Sequence, residues 1–403
     1  MSASLASGTA RTASAMASIT RGSRPSLTFG THSRSGLATR RYDTPSPKLT
    51  LVCRGFYTTW VMPLLPVGKL PAELLQRLFG KYVDADPRVI VGPQVGEDAA
   101  VLDMGDRYLV ATTDPITFAT DEMGWYALHV NANDLAVRGA TPRWFLCTVL
   151  LPEGKSREAE VEQLFAEVSL ACQSVGVSLV GGHTEVTAGL PRTIVSGTML
   201  GEVAKDKLVT TGGAYVGDTV LVTKGVPLEG ASIIARERGE DAIRRGVPAD
   251  VVARAREFLR RPGISVVPEA RAACAAARVH AMHDPTEGGL ATACWELAQA
   301  AGVGLRVDRE RVPVLAEGRR LCEAFGLDPL GTIASGALLL TVSPGEAETV
   351  IAASRAAGIE CTAIGRVTRP EDGVVLTAGG HAKPMPSFPQ DEITRIFQGE
   401  PHA

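Results

Sequence analysis

No run of about 18 apolar residues occurs anywhere in the 403-residue sequence, so no membrane-spanning helix is expected. The seven cysteines, at 53, 147, 172, 274, 294, 322 and 361, include no C-x-x-C pair. That excludes a zinc knuckle or a disulfide framework and predicts reduced core cysteines in a cytoplasmic protein. There is no G-x-x-x-x-G-K-[ST] and no G-x-G-x-x-G, which removes the P-loop and the dinucleotide fingerprint. H-E-x-x-H is missing as well, and with it a zinc-protease helix. Acids are missing from the first 42 residues, and residues 1–61 carry eight Lys/Arg against one acid. The body from Met62 onward therefore holds 33 basic and 43 acidic residues, a net −10 that suits neither a nucleic-acid nor an anionic-membrane binder.

What is present is ordinary globular composition, 45% hydrophobic and 21% charged, over a length that predicts two domains. Residues 1–61, rich in Ser, Thr, Ala, Gly and Arg without apolar periodicity, are expected to be a disordered extension. Two origins stay open, an organelle transit peptide or sequence upstream of a start at Met62.

Leu70, Leu74, Leu75, Leu78, Phe79 and Tyr82 recur at helical spacing. Strands follow at Ala99–Leu102 and Tyr108–Thr113, then a helix over Met123–Val137, a strand over Trp144–Leu151 and a helix over Arg157–Val175 closed by Gly176. Val177–Val180 and Ile194–Val203 complete a first α/β unit. A second begins with the strand Thr219–Thr223, passes through helices near 230–239, 248–260 and 266–277, and later uses strands at Ala337–Val342 and around Ile364, separated by a helix near 345–357. The break between the two lies in Ala204–Gly217, giving domains at 62–205 and 206–395 and a tail at 396–403. No short tandem repeat occurs.

The chemistry-bearing residues sit at the ends of these elements. Gly96-Glu97-Asp98-Ala99-Ala100 places two carboxylates in a turn before an apolar strand, and Thr112-Thr113-Asp114-Pro115 puts a third at the end of the next. Within the apolar helix that follows, Asn131, Asn133 and Asp134 interrupt the pattern, Asn131 and Asp134 sharing a face. Unpaired polar groups there would cost stability, so they either bridge neighbouring backbone or face a charged ligand or metal. Carboxylates from separate turns plus an amide suit Mg²⁺, which commonly bridges phosphates. Val180-Gly181-Gly182-His183-Thr184-Glu185-Val186 reads as a strand entering a glycine pair, either a ligand-approach turn or a tight hairpin with a surface His. Thr223-Lys224-Gly225 leading to the helix after Pro227, and Asp284-Pro285-Thr286-Glu287-Gly288-Gly289 leading to the helix from Leu290, are helix entries whose N–H groups can receive an anion or simply be capped.

In order, GEDAAVL (96–102), TTDP (112–115), GWYALHVNANDLAVRGATPRWF (124–145), GGHTEV (181–186), GTMLGEV (197–203) and DPTEGGL (284–290) resemble the aminoimidazole-ribonucleotide (AIR) synthetase superfamily, and within it most the hydrogenase-maturation proteins called HypE. The resemblance spans about residues 64–395. It implies a two-domain α/β (α+β) fold whose N-terminal domain pairs across a homodimer, and an enzyme binding ATP with Mg²⁺. By motif, Asp98, Asp114 and Asp134 would be metal ligands, with His183 or Glu185 serving where many members have Asp. Asn133, Gly181, Gly182, Thr184 and Lys224 would lie near the nucleotide, and Asp284 would enter from the second domain. Catalytic residues are not implied. The expected reaction is phosphoryl transfer to an oxygen of an unidentified small-molecule or carrier-bound substrate. Alternatives are a carbamoyl dehydratase acting in hydrogenase maturation, with a maturation-protein partner and a thiol in trans, or a non-catalytic nucleotide-binding scaffold. Two departures bear on this. HypE proteins end Pro-Arg-Ile-Cys, whereas Phe397–Ala403 here lacks the thiol, and they carry a glutamate before the glycine of a late motif where Ala334-Ser335-Gly336 stands.

Overall fold

The computed structural model describes Leu65, residues 68–94 and residues 96–397; the expectations for residues 1–61, Cys53 and the tail beyond Phe397 lie outside them. The first half runs α1 (Ala72–Tyr82), β1 (Val89–Val91), β2 (Ala100–Asp103), β3 (Tyr108–Ile116), α2 (Met123–Ala136), β4 (Thr141–Pro152), α3 (Glu158–Val175), β5 (Ser178–Thr187) and β6 (Ile194–Val203). Its strands form one six-stranded sheet in the order β1-β2-β3-β6-β4-β5, with β4 and β5 parallel and the other pairs antiparallel.

The second half contains β7 (Thr219–Thr223), α4 (Leu228–Glu237), α5 (Gly239–Arg244), α6 (Ala249–Glu257), α7 (Val267–Ala276), β8 (Val279–His283), α8 (Gly289–Ala301) and β9 (Gly304–Asp308). It continues with α9 (Ala316–Phe325), β10 (Leu339–Val342), α10 (Ala347–Ala356), β11 (Cys361–Thr368), β12 (Val374–Ala378) and β13 (His381–Pro384). Seven strands order as β13-β12-β9-β11-β7-β10-β8, where β9 and β12 are the parallel pair. The protein is thus a mixed α/β structure built on two sheets. Among the described residues no helix is long and apolar enough to cross a membrane.

The strand β6 alternates buried and half-buried side chains along all ten residues, which sets one face against α2. Helix α2 is apolar on nearly every side because it is covered on nearly every side, by the sheet, by α3 and by α7. Gly124 lets α3 approach, since a Cβ there would come within 2.8 Å of Leu164 O and Val168 N. Leu128, Leu135, Phe145 and Met199 are fully buried around this helix, and each contributes about 1.5–3 kcal/mol by leaving water. Helix α3 ends where expected, on Gly176 at φ 71°, with the Val177 N–H returning to Cys172 O.

One expectation is overturned. The Gly181-Gly182 pair is no turn: β5 continues through it to Thr187, paired with β4 after a one-residue register shift at Val180. Gly182 takes φ 149° because a Cβ would sit 1.9 Å from Cys147 O on the neighbouring strand.

Candidate active site

Burying α2 forces each of its polar side chains to find a use, and the three uses differ. Asn131 accepts the Asp114 N–H at 2.9 Å and donates to Asp114 O and Ala127 O, so it fixes the backbone at the end of β3. Asn133 donates to Ile264 O and accepts from Val266 N, both at 2.8 Å, which pins the first half to the second. These are the backbone-bridging roles, and both amides are consumed by them.

Asp134 is different. Its Oδ2 lies 2.7 Å from Thr112 Oγ1, and the same hydroxyl lies 2.8 Å from Asp98 O. Thr112 has one proton to give. Both contacts are satisfied when Asp134 is protonated and donates to the hydroxyl, which then donates to the carbonyl. Burial, followed by repulsion from Asp114, Asp284 and Asp98, pushes the Asp134 carboxyl well above the usual range in the same sense.

Around it stand three further carboxylates. Asp114 extends from β3, and burial raises it to about 6. Asp98 comes from the turn before β2. Asp284 follows β8 in the second half; it is fully buried, and neither oxygen has a hydrogen-bond partner among the described residues. Burial, with repulsion from Asp98, raises it to about 7.

The countercharge is His283, the last residue of β8. Its Nε2 hydrogen-bonds Glu296 Oε2 on α8 at 2.7 Å, and its Nδ1 lies 3.1 Å from Asp98 Oδ2 at ion-pair distance without hydrogen-bond geometry, so a carboxylate stands at each side of the ring. Burial works against the imidazolium, but Asp98 and Glu296 outweigh it and lift His283 to about 10. Burial likewise opposes ionisation of Asp98, yet His283, Lys69 and Arg138 hold its carboxyl well below the ordinary range. Beneath them the fully buried Arg138 pairs with Glu97 at 2.8 Å, donates to Thr211 Oγ1 at 2.9 Å and stands 3.7 Å from Asp98. At the rim, Lys69 reaches Glu287 at 3.0 Å.

Ligand atoms of Asp98, His283 and Asp284 lie within 4.8 Å of one another. The orphaned oxygens of Asp284 and a donor set of hard carboxylate oxygens fit a Mg²⁺ ion. His283, hydrogen-bonded to Glu296 through Nε2 and flanked by Asp98 at Nδ1, serves in this structure as the counter-ion of the acids.

The other sequence candidates lie elsewhere. His183 and Glu185 are exposed on β5 and bond to each other at 3.1 Å; Gly181, Gly182 and Thr184 share that exposed strand. Lys224 is locked at φ 56° with its ammonium on Gly263 O, Ser265 O and Glu269, all within 2.8 Å. It has no donor left for a phosphate. The two helix entries have part of their N–H groups already spent. At α4, the Gly230 and Ala231 N–H groups go to Ile333 O and Pro227 O; at α8, those of Gly289 and Ala291 go to Thr286 O and Leu330 O. Burial pushes the described cysteines that shift, Cys147, Cys172, Cys274, Cys294, Cys322 and Cys361, up to about 11 or 12, so none is a ready thiolate.

Sequence reasoning missed His283, Arg138 and Lys69 as parts of the site. For Arg138 a signal existed: a charge directly after an apolar helix, open to the argument that singled out Asp134. His283 ends an apolar strand one residue before Asp284, and nothing local marks it as paired.

Comparison with known proteins places this geometry in context. Residues 96–203 match the family AIR synthase related protein, N-terminal domain, and residues 215–377 match its C-terminal domain. The carbamoyl dehydratase HypE of Rhodobacter capsulatus is 31% identical over 310 residues, 74% of this chain and 87% of that protein. The crystal structure of HypE from Escherichia coli superposes with a TM-score of 0.63 at 25% identity, over 80% of this chain and 99% of that one. A HypE structure in complex with ATP shares the fold at TM-score 0.57 and 24% identity, over 78% and 91%.

Proposed function

The chain belongs to the AIR synthase related family, and from that premise we propose that it is an enzyme which binds ATP with Mg²⁺ at the acid cluster and passes the γ-phosphoryl group to an oxygen of a small-molecule or carrier-bound substrate. The observation that carries the reading is the gathering of Asp98, Asp114, Asp134 and Asp284 from both halves with too little fixed positive charge beside them. His283, Lys69 and Arg138 answer Asp98, but Asp114, Asp134 and Asp284 are left to repel one another, and a cation would relieve that repulsion.

Asp98, Asp114, Asp134 and Asp284 would hold the ion, which when bound neutralises phosphate charge and orients the group being transferred. The chain's own contribution is positioning. Thr112 holds Asp134, Asn131 holds the backbone that carries Asp114, and His283 holds Asp98. No nucleophile is required of the chain. A test is isothermal titration of the full chain with ATP in the presence and absence of Mg²⁺, followed by ADP release on a substrate panel. Binding that is absent, or indifferent to Mg²⁺, would sink the proposal.

A second reading, carbamoyl dehydration in hydrogenase maturation, is favoured by the HypE relatives. The buried cysteines with their high thiol pKa values support a carrier thiol brought from elsewhere. We also propose a cytoplasmic homodimer paired through β5. This strand edges the first sheet and leaves Leu179, Val180 and Val186 exposed. Analytical ultracentrifugation of the chain and of Val180→Lys checks it, the variant being expected to sediment as a monomer.

A further inference from the structure

Three of the four acids in the cluster are held by a neighbouring group. Thr112 meets Asp134, Asn131 holds the backbone that carries Asp114, and His283 flanks Asp98. Asp284 is the exception, for it is fully buried and neither of its oxygens has a hydrogen-bond partner among the described residues. A side chain without a contact of its own points where its backbone sends it. The direction of this carboxylate is therefore decided by loop 284–288 and by whatever fixes that loop.

The tie comes from the far end of the chain. Asp391, 4% exposed, accepts the Gly288 N–H through Oδ2 at 2.6 Å and the Ile393 N–H through Oδ1 at 2.7 Å, and the Ile333 N–H supports the same carboxyl. Gly288 and Gly289 stand at φ 79° and 61°, and a Cβ on Gly289 would come within 2.6 Å of Leu330 O and Thr332 O, so the loop lies hard against segment 330–332 and is tied there by Asp391. Asp391 is itself firmly seated. It caps the 3₁₀ turn Glu392–Ile396, whose Ile393 and Thr394 are buried; the Glu392 side chain accepts the Asp328 N–H, and the Glu392 N–H goes to Gly331 O. This strap ends in contact with the first half, where Phe397 stacks on Phe118 with 6.3 Å between ring centroids. Phe118 lies four residues beyond Asp114, as Gly288 lies four beyond Asp284. One short segment thus grips the chain just past an acid of each half.

We propose that Asp391 is a positioning residue of the metal site: through the Gly288 N–H it fixes loop 284–288 and so aims the Asp284 carboxylate, the metal ligand that the second half contributes. This rests on the reading of the acid cluster as the place where Mg²⁺ and ATP bind.

The test uses substitutions that separate the tie from the turn. In Asp391→Asn the side-chain oxygen still caps Ile393 while the amide NH₂ faces the Gly288 N–H; in Asp391→Ser the hydroxyl caps Ile393 but is too short to reach Gly288. Both keep the strap and lose the tie. Ile393→Val, which trims the buried anchor of the same strap, is the control for general loosening. On the full chain without nucleotide, Mn²⁺, which takes the same oxygen donors as Mg²⁺, is titrated by electron paramagnetic resonance; Mg-ATP binding is followed by calorimetry over a series of Mg²⁺ concentrations. Asp391→Asn and Asp391→Ser should weaken Mn²⁺ binding and raise the Mg²⁺ midpoint by about tenfold, as loss of an outer partner of a metal ligand does, while ATP affinity returns to within about twofold of the parent at saturating Mg²⁺. Ile393→Val should leave both midpoints within about twofold. Asp391→Ser keeps a common capping residue, so it decides the matter even where Asp391→Asn fails to fold. Asp391 variants that bind metal as the parent does overturn the positioning role alone, and so does an Ile393→Val variant that loses as much as they do. A parent that binds Mn²⁺ without Mg-dependent ATP binding brings down the phosphoryl-transfer reading instead, and the Mn²⁺ titration still decides Asp391. A parent that binds neither metal nor nucleotide brings down both.

Discussion

Two regions of the first half carry the same kind of sequence signal, small and polar residues at the end of a strand, and the structure treats them in opposite ways. Around α2 the polar residues turn inward: Asp134, buried, meets Thr112, and the buried Asp284 and half-buried Asp98 and Asp114 converge on it. On β5, His183, Thr184 and Glu185 lie in the open along an edge strand and satisfy themselves locally. Burial makes the difference. A carboxylate in water costs nothing to keep, so its presence says little, whereas two fully buried carboxylates with two half-buried ones beside them call for something that compensates them.

The sharpest way to break this comparison is to remove the countercharge beneath the cluster. Arg138→Met leaves Glu97 buried and alone, and urea denaturation should show a loss of about 3–5 kcal/mol. Adding Glu97→Gln should recover part of that loss. A loss under about 1 kcal/mol would mean that the interior tolerates free charge and that burial carries no information here.

Asp134→Asn comes next. The amide can donate to Thr112 as the protonated carboxyl does, so the unliganded variant should melt at or above the parent's temperature. Its Mg-ATP affinity should fall by about 10- to 100-fold in calorimetry, the range that goes with disturbing a metal shell. Early melting with unchanged affinity would make Asp134 structural.

A milder effect concerns pH. Glu229, raised to about 8, and Asp391, raised to about 7, are both carboxyls whose folded values exceed the unfolded ones. Their contribution is fully present below about pH 4 and is lost as pH rises through 7 to 8, so stability of the unliganded chain should decline over that window. Glu229→Gln should flatten the upper part of the decline in thermal melts from pH 5 to 9. A parent whose stability rises steadily across that range contradicts the assignment.

The smallest effect belongs to the open strand. In the monomeric Val180→Lys background, where β5 is unpaired, His183→Ala and Glu185→Ala should change stability by less than about 0.5 kcal/mol and leave Mg-ATP affinity as it is. A tenfold fall in affinity would join β5 to the metal site and erase the contrast.

The sequence was most informative where periodicity and burial agree. The apolar run Met123–Ala136 announced a helix, and its polar interruptions announced an interior role, because no solvated face was left to hold them. The same reasoning could not separate Asn131 and Asn133, whose amides hold backbone, from Asp134, whose carboxyl joins the acids: all three look alike in a helical pattern, and the partners outside the helix lie 17 to 133 positions away. Gly181-Gly182 misled for a local reason, since a glycine pair suits a turn as well as a strand pressed against its neighbour's carbonyl. Short polar strands such as β13, His381–Pro384, offer no alternation to read and are found only through pairing with β12.

The loop from Gly263 to Val266 is gripped twice, by Asn133 at Ile264 O and Val266 N and by Lys224 at Gly263 O and Ser265 O. A segment held from both sides has no inexpensive way to open alone. The amide proton of Val266 should therefore exchange with deuterium only when the whole molecule unfolds, at a rate set by global stability. Whatever flexing admits a substrate must be absorbed at other joints, because this one transmits strain between the two sheets as a rigid link does.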